Sequence, residues 1–246
     1  MKVALALACL ACAASAATAA RASPAAAACP PAGFDSAADL DLTKFIEAPW
    51  YPQEQMPVFY QPVNSLYCVR AKYTPITPSN FADGLNVINT ARTGSVTGPQ
   101  MGSDGGGFSS IVALPTKGTG ATATSKLQVG PGFLAPLAKK GLRAATRPSR
   151  RNSFVFGPYW VVDYAPDYSW AIISGGAPKV KTAGGCSAGR PNSQSFLDIN
   201  GSGLWLFSRK PVDPEATQIM RDKAAALGFD VSVLKPVAQA GCTYPA

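Results

Sequence analysis

Histidine is absent from all 246 residues. That excludes a Ser-His-Asp or Cys-His catalytic centre and the common histidine-bearing zinc sites. Acid–base work would fall to carboxylates, Tyr, Lys or Cys. Acidic residues are scarce too, 14 against 22 Lys and Arg, giving a formal net charge of +8. Beyond the first residues, no apolar run approaches the ~18 residues that would span a membrane. No motif repeats along the chain.

What is present is Gly and Pro in quantity, 23 and 22, in a chain that is 47% hydrophobic. That suits many short strands joined by long loops, in one all-β domain or two small ones. The start reads as a secretory signal peptide. Lys2 supplies the positive end and Val3 to Ala14 the apolar core. Ala14-Ser15-Ala16, Ala17-Thr18-Ala19 and Ala20-Arg21-Ala22 are small-x-small cleavage candidates, with cleavage expected near Ala22. The leader is too apolar for a transit peptide, and Cys9 and Cys12 lie too early for a lipoprotein signal. Its removal leaves Cys29, Cys68, Cys186 and Cys242. Four cysteines in an exported chain read as two disulfides, with three possible pairings. They contain no Cys-x-x-Cys pair, which argues against a zinc or redox site. The expected layout is a signal peptide over 1–22, an N-terminal linker over 23–38 and one domain over 39–246.

Asp39 and Asp41 offer caps for a short helical turn with Leu40, Leu42 and Phe45. Strands are expected at Trp50–Phe59, Leu66–Thr74, Leu85–Thr90, Phe108–Leu114, Ser125–Val129, Phe154–Tyr164, Tyr168–Ser174 and Gly203–Arg209. Pro52 and Pro57 cannot donate to a ladder, so the first strand should be bulged or at an edge. In the second, Tyr67, Val69, Ala71 and Tyr73 alternate against Cys68, Arg70 and Lys72. Asp83-Gly84 is a turn signal, and Ala165-Pro166-Asp167 turns a tight hairpin. Gly94–Gly107 and Gly175–Ser202 are long loops. Asp213-Pro214-Glu215 opens a helix with Asp as cap and Pro at the first position. Ala216, Met220, Ala224 and Leu227 share a face, and Gly228 ends it. Eight strands with one trailing helix suit a closed barrel. Phe133 to Ser153 carries Lys139, Lys140, Arg143, Arg147, Arg150 and Arg151 with no acid among them, most of the net charge.

Three stretches, in order, resemble the lipocalin family. The first is Phe45 to Tyr73, with Trp50-Tyr51, Met56-Pro57 and Cys68 to Tyr73. The second is Tyr159 to Tyr164 with Asp167 to Ile173. The third is Gly203 to Pro211, followed by the helix and Leu227-Gly228-Phe229-Asp230. The likeness covers nearly the whole mature chain and is greatest to the apolipoprotein D, bacterial and plant lipocalin group. The family's Gly-x-Trp reads Ala48-Pro49-Trp50 here, without the Gly.

The resemblance implies an all-β fold, an eight-stranded up-and-down antiparallel β-barrel with a C-terminal α-helix packed outside. It implies that Trp50 plugs the closed end and Arg209 stacks on it, a structural pair. It implies disulfides Cys29–Cys186 and Cys68–Cys242. The implied function is a secreted or lumenal carrier of a small hydrophobic molecule, such as a fatty acid, lysolipid, sterol or carotenoid-like pigment, with no cofactor, metal or nucleic acid. Strand parity turns Trp205 and Phe207 inward if Arg209 reaches Trp50. Tyr159 and Trp170 from the hairpin and Phe133 at the mouth complete the expected lining. Two other readings remain. One is a lipid- or carotenoid-modifying enzyme using Asp163 or Tyr164, although no catalytic residue is assigned. The other is an interaction module whose six basic residues meet an anionic membrane surface. Asn200 is a glycosylation candidate.

Overall fold

The computed structural model describes residues 28–78, 80–102, 110–116, 124–136, 156–193, 195 and 201–244. The leader, the basic stretch Lys139 to Arg151 and Asn200 lie outside the described residues. Among the described residues, a helical turn α1 (Leu42–Ile46) precedes the first strand. Eight strands then run up and down: β1 (Tyr51–Gln55), β2 (Tyr67–Thr77), β3 (Asn80–Arg92), β4 (Ile111–Pro115), β5 (Lys126–Pro131), β6 (Gly157–Tyr164), β7 (Trp170–Ser174) and β8 (Leu204–Ser208). Helix α2 (Pro214–Ala226) follows.

Each strand pairs antiparallel with its neighbour in sequence from β2 to β8, and β8 returns to pair with β1. Trp50 and Ala71 exchange both backbone hydrogen bonds, at 2.8 and 2.9 Å, which brings β1 against β2 and closes the ring. This is the barrel that the resemblance implies.

Above that single pair, the C-terminal tail stitches the β1–β2 seam. Lys235–Pro236 add to the β1 edge, and Val237 N–H donates to Gln53 O. The tail then crosses to β2, where Ala238 exchanges bonds with Leu66 and Cys68. The buried Gln239 amide donates to Pro52 O and Val69 O, both at 2.8 Å, so one side chain satisfies a carbonyl from each strand. The Cys68–Cys242 disulfide locks the tail there, and Cys29–Cys186 ties the N-terminal segment to the β7–β8 connection.

Strand irregularities redistribute the expected faces. β1 slips register between Pro52 and Glu54, where proline withholds a donor. β2 slips between Tyr67 and Arg70 around Cys68, whose φ is +50°. The alternation therefore breaks: Ala71 and Tyr73 face the interior, while Val69 joins Leu66, Ala91 and Val237 outside. Asp83-Gly84 is not a turn. It lies within β3, and a side chain at Gly84 would stand 2.7 Å from Ala113 O, so glycine lets β4 approach. The reversal falls between Thr77 and Asn80.

α2 begins as its sequence signals indicate, with Asp213 accepting from Ala216 N–H and Pro in the first turn. Its Ala216, Met220 and Ala224 bury against the outer wall, among Val162, Ile172, Leu204 and Leu206. Asp163 pairs with Lys223 of the helix at 3.2 Å, and Glu54 pairs with Arg221.

Residues 28–38 are packed rather than a linker. Phe34 meets Phe229 edge-on at 5.5 Å, Ala37 N–H donates to Val161 O, and Asp35 pairs with Lys126 at 2.5 Å. The hydrogen bond from Lys126 holds the Asp35 carboxyl below its usual range. Its stabilisation is present above the ordinary value of ~3.9 and is lost as pH falls through the lowered folded value. The protection of the Ala37 amide against hydrogen exchange, relative to the unfolded chain at the same pH, should therefore fall in acid in parallel with protonation of Asp35. Asp35→Asn should remove that pH dependence; an unchanged profile would show that the pair does not anchor the segment.

Candidate functional site

The floor is built first. Arg209 follows β8 and lies with its guanidinium 3.5 Å from the Trp50 ring centroid. Its N–H groups donate to the carbonyls of Lys44, Phe45, Ala48, Pro49 and Tyr168. Those carbonyls include two at the end of α1, which also accept from the Glu47 N–H and the Trp50 indole N–H, so Arg209 completes the capping of a helix too short to satisfy them itself. Burial pulls Arg209 down to about 10, which keeps it charged at neutral pH. Above Trp50 the aromatic rings continue upward. Phe45 lies 5.2 Å and Phe207 6.2 Å from Trp50, and Tyr73 lies 5.7 Å from Phe45. Phe207 thus belongs to the floor.

The walls come from alternate residues of each strand: Leu85 and Val87, Ala113, Leu127, Val161, Ala171 and Ile173, with Trp205 and Tyr159 partly buried against them. Trp205 lies across Gly203. A Cβ there would stand 1.9 Å from the indole, and the backbone holds φ +132°, so glycine is what admits the ring.

Tyr159 reaches across to Tyr73. Their hydroxyls are 2.7 Å apart and their rings meet edge-on at 6.2 Å. Loss of water raises both phenols above their ordinary value.

A third tyrosine lies in the β1–β2 connection. Val58 and Gln61 exchange backbone bonds at 3.2 and 2.9 Å, so Phe59-Tyr60 form the tip of a tight turn. Tyr60 leaves 49% of its surface open, while the atoms packed around its phenol push it up to about 12. Gln61 of the same turn accepts from Gln55 Nε2 at 2.9 Å, latching turn to wall. Gln55 is the register partner of Trp205, hence on the inner face. It is fully buried, and its Oε1 has no partner.

Of the sequence-predicted lining residues, the structure brings Tyr159, Trp205 and Phe207 to the interior. Phe133 stands just after β5 in a short 3-10 turn, 53% exposed at the open end. Trp170 is a correction. It pairs in register with Ser208, one residue out of phase with Phe207, and packs outward beside α2 under Lys223. Tyr73 and Gln55 were missed. The alternation did place Tyr73 with Ala71, but nothing local said which side was in. Asp163 faces the helix, while Tyr164 pairs with Ala171 and packs on the interior cluster near the closed end, its hydroxyl donating to Ala38 O. Among the described residues no His, Cys, Asp or Glu cluster could hold a metal.

Floor and walls together define a closed β-barrel with an apolar interior marked by the Tyr73–Tyr159 pair. No protein-family model and no curated protein matches the chain. Solved structures similar to it include the cockroach allergen Per a 4, 14% identical over 87% of this chain and 96% of that one, with TM-score 0.47. Insecticyanin of the tobacco hornworm Manduca sexta is 14% identical over 89% and 93%, with TM-score 0.48. Lobster apocrustacyanin A1 is 11% identical over 81% and 79%, with TM-score 0.46.

Proposed function

We propose that this protein is a secreted lipocalin that carries a small hydrophobic molecule inside its barrel. The observation that carries the reading is the inner face of the barrel: aliphatic and aromatic side chains over an aromatic floor, with the Tyr73–Tyr159 hydroxyl pair set among them. A site of this kind, mostly apolar with a few placed polar groups, is what small-molecule pockets require. Two disulfides closing 157 and 174 residues fit an oxidising compartment, which supports secretion. The same pairing supports the apolipoprotein D-like grouping.

The test uses tryptophan emission. Retinol entering the lumen should quench it, and Trp205→Phe should remove much of the quenching. The smaller ring should also weaken binding by about 1–2 kcal/mol through lost contact area. If no apolar probe of any headgroup binds at micromolar concentration, the carrier reading fails.

A further inference from the structure

The polar groups of the lumen are as informative as its apolar walls. Tyr73 and Tyr159 share one hydrogen bond. Each phenol carries one O–H and can accept twice. One proton is used inside the pair; the second O–H has no acceptor among the described residues. An unmatched donor away from water is costly, and a ligand oxygen would relieve it.

The rest of the inner face carries no opposite charge for an anion. By register with Phe207, Trp205, Ala71 and Tyr73, the inward positions of the strands among the described residues include no Lys or Arg. Asp83 shares the parity of Leu85 and Val87 but lies at the β2–β3 reversal, where it accepts from Thr77 and Asn80, and its charge would repel a carboxylate. The nearest cation, Arg209, lies on the far side of Trp50 and is already engaged by backbone carbonyls. A carboxylate entering here would shed its hydration without gaining a countercharge, and one phenol O–H would not replace that hydration. Gln55 Oε1, buried and unpartnered, adds an acceptor on the same inner wall. Both phenols stay protonated at neutral and mildly alkaline pH, because burial raises them.

We propose, building on the carrier reading, that the barrel selects neutral apolar molecules bearing a carbonyl or hydroxyl oxygen over carboxylates, and that the Tyr73–Tyr159 hydroxyl pair is the group that reads that oxygen.

The test is displacement of N-phenylnaphthylamine from the mature protein at neutral pH. The competitors are an alkane, methyl ketone, primary alcohol and carboxylate of one chain length. Ketone and alcohol should displace the probe at roughly tenfold lower concentration than the carboxylate or the alkane. The double variant Tyr73→Phe, Tyr159→Phe should erase the ketone's advantage over the alkane, so that the two displace the probe at equal concentration. Each single variant keeps one O–H and should retain part of the advantage. A carboxylate that binds as tightly as the ketone overturns the proposal, as does a double variant that still prefers the ketone. A second readout needs no variant: the carbonyl stretch of the bound ketone should move to lower frequency than in hydrocarbon solvent, and an unshifted band overturns the proposal too. If neither the probe nor any competitor binds, the alkane included, the carrier reading itself has failed and takes this one with it.

Discussion

Arg209→Ala should lower the stability of the protein by about 3–5 kcal/mol, read as a reduced urea midpoint at unchanged slope. Two losses combine. The stacked guanidinium on Trp50 is desolvated, a contact worth up to ~2 kcal/mol. The same group also donates to five backbone carbonyls around α1 and the β6–β7 turn. Hydrogen bonds to a charged partner contribute about 1.5–3 kcal/mol, and the acceptors left behind pay for desolvation. Arg209→Lys should recover less than half of the loss, since an ammonium keeps the charge but not the planar fork. Trp50→Ala should cost about 3–5 kcal/mol by cavity formation. The double variant should lose clearly less than the sum, because the two side chains share one contact. Additive losses would mean that the floor is not a single unit.

Removing the Cys68–Cys242 disulfide by paired replacement with Ser should be of similar size. In the chain-entropy model, cross-linking residues 174 apart is worth roughly 5 kcal/mol, an upper figure, and about 2–5 kcal/mol is the expected loss. The location decides what fails. The tail that Cys242 anchors supplies the hydrogen bonds missing between β1 and β2, through Ala238 and Gln239. Hydrogen exchange at the Cys68 and Ala238 amides should therefore rise well before global unfolding. Removing Cys29–Cys186 should leave those amides protected, because that bond holds the N-terminal segment at the β7–β8 connection. Equal deprotection in both variants would show that the seam does not depend on the tail.

Local signals in the chain were enough for the strand sequence, the capped helix, the tight β6–β7 hairpin and the shared face of Trp205 and Phe207. These rest on short-range physics: two-residue alternation, proline's missing donor, and the Asp213-Pro214 start. The floor pair and the two disulfide partners were legible only through family likeness, because residues 157 or more apart carry no local mark of each other.

What the sequence by itself determined, then, was the order of elements and which residues share a strand face. Which face turned inward, and what met across the barrel, only the tertiary structure decided. Alternation defines two faces without labelling them, so Trp170 and Trp205, equally aromatic, went to opposite sides according to pairing register. A single bulge at Cys68 moved Val69 out while Tyr73 went in. Tyr60 lies in a turn that reads as exposed loop, and that turn is tied to the wall because Gln61 meets Gln55. The pairing of Tyr73 with Tyr159 joins residues 86 positions apart. That contact exists only when the ring closes, and closure depends on the last residues of the chain.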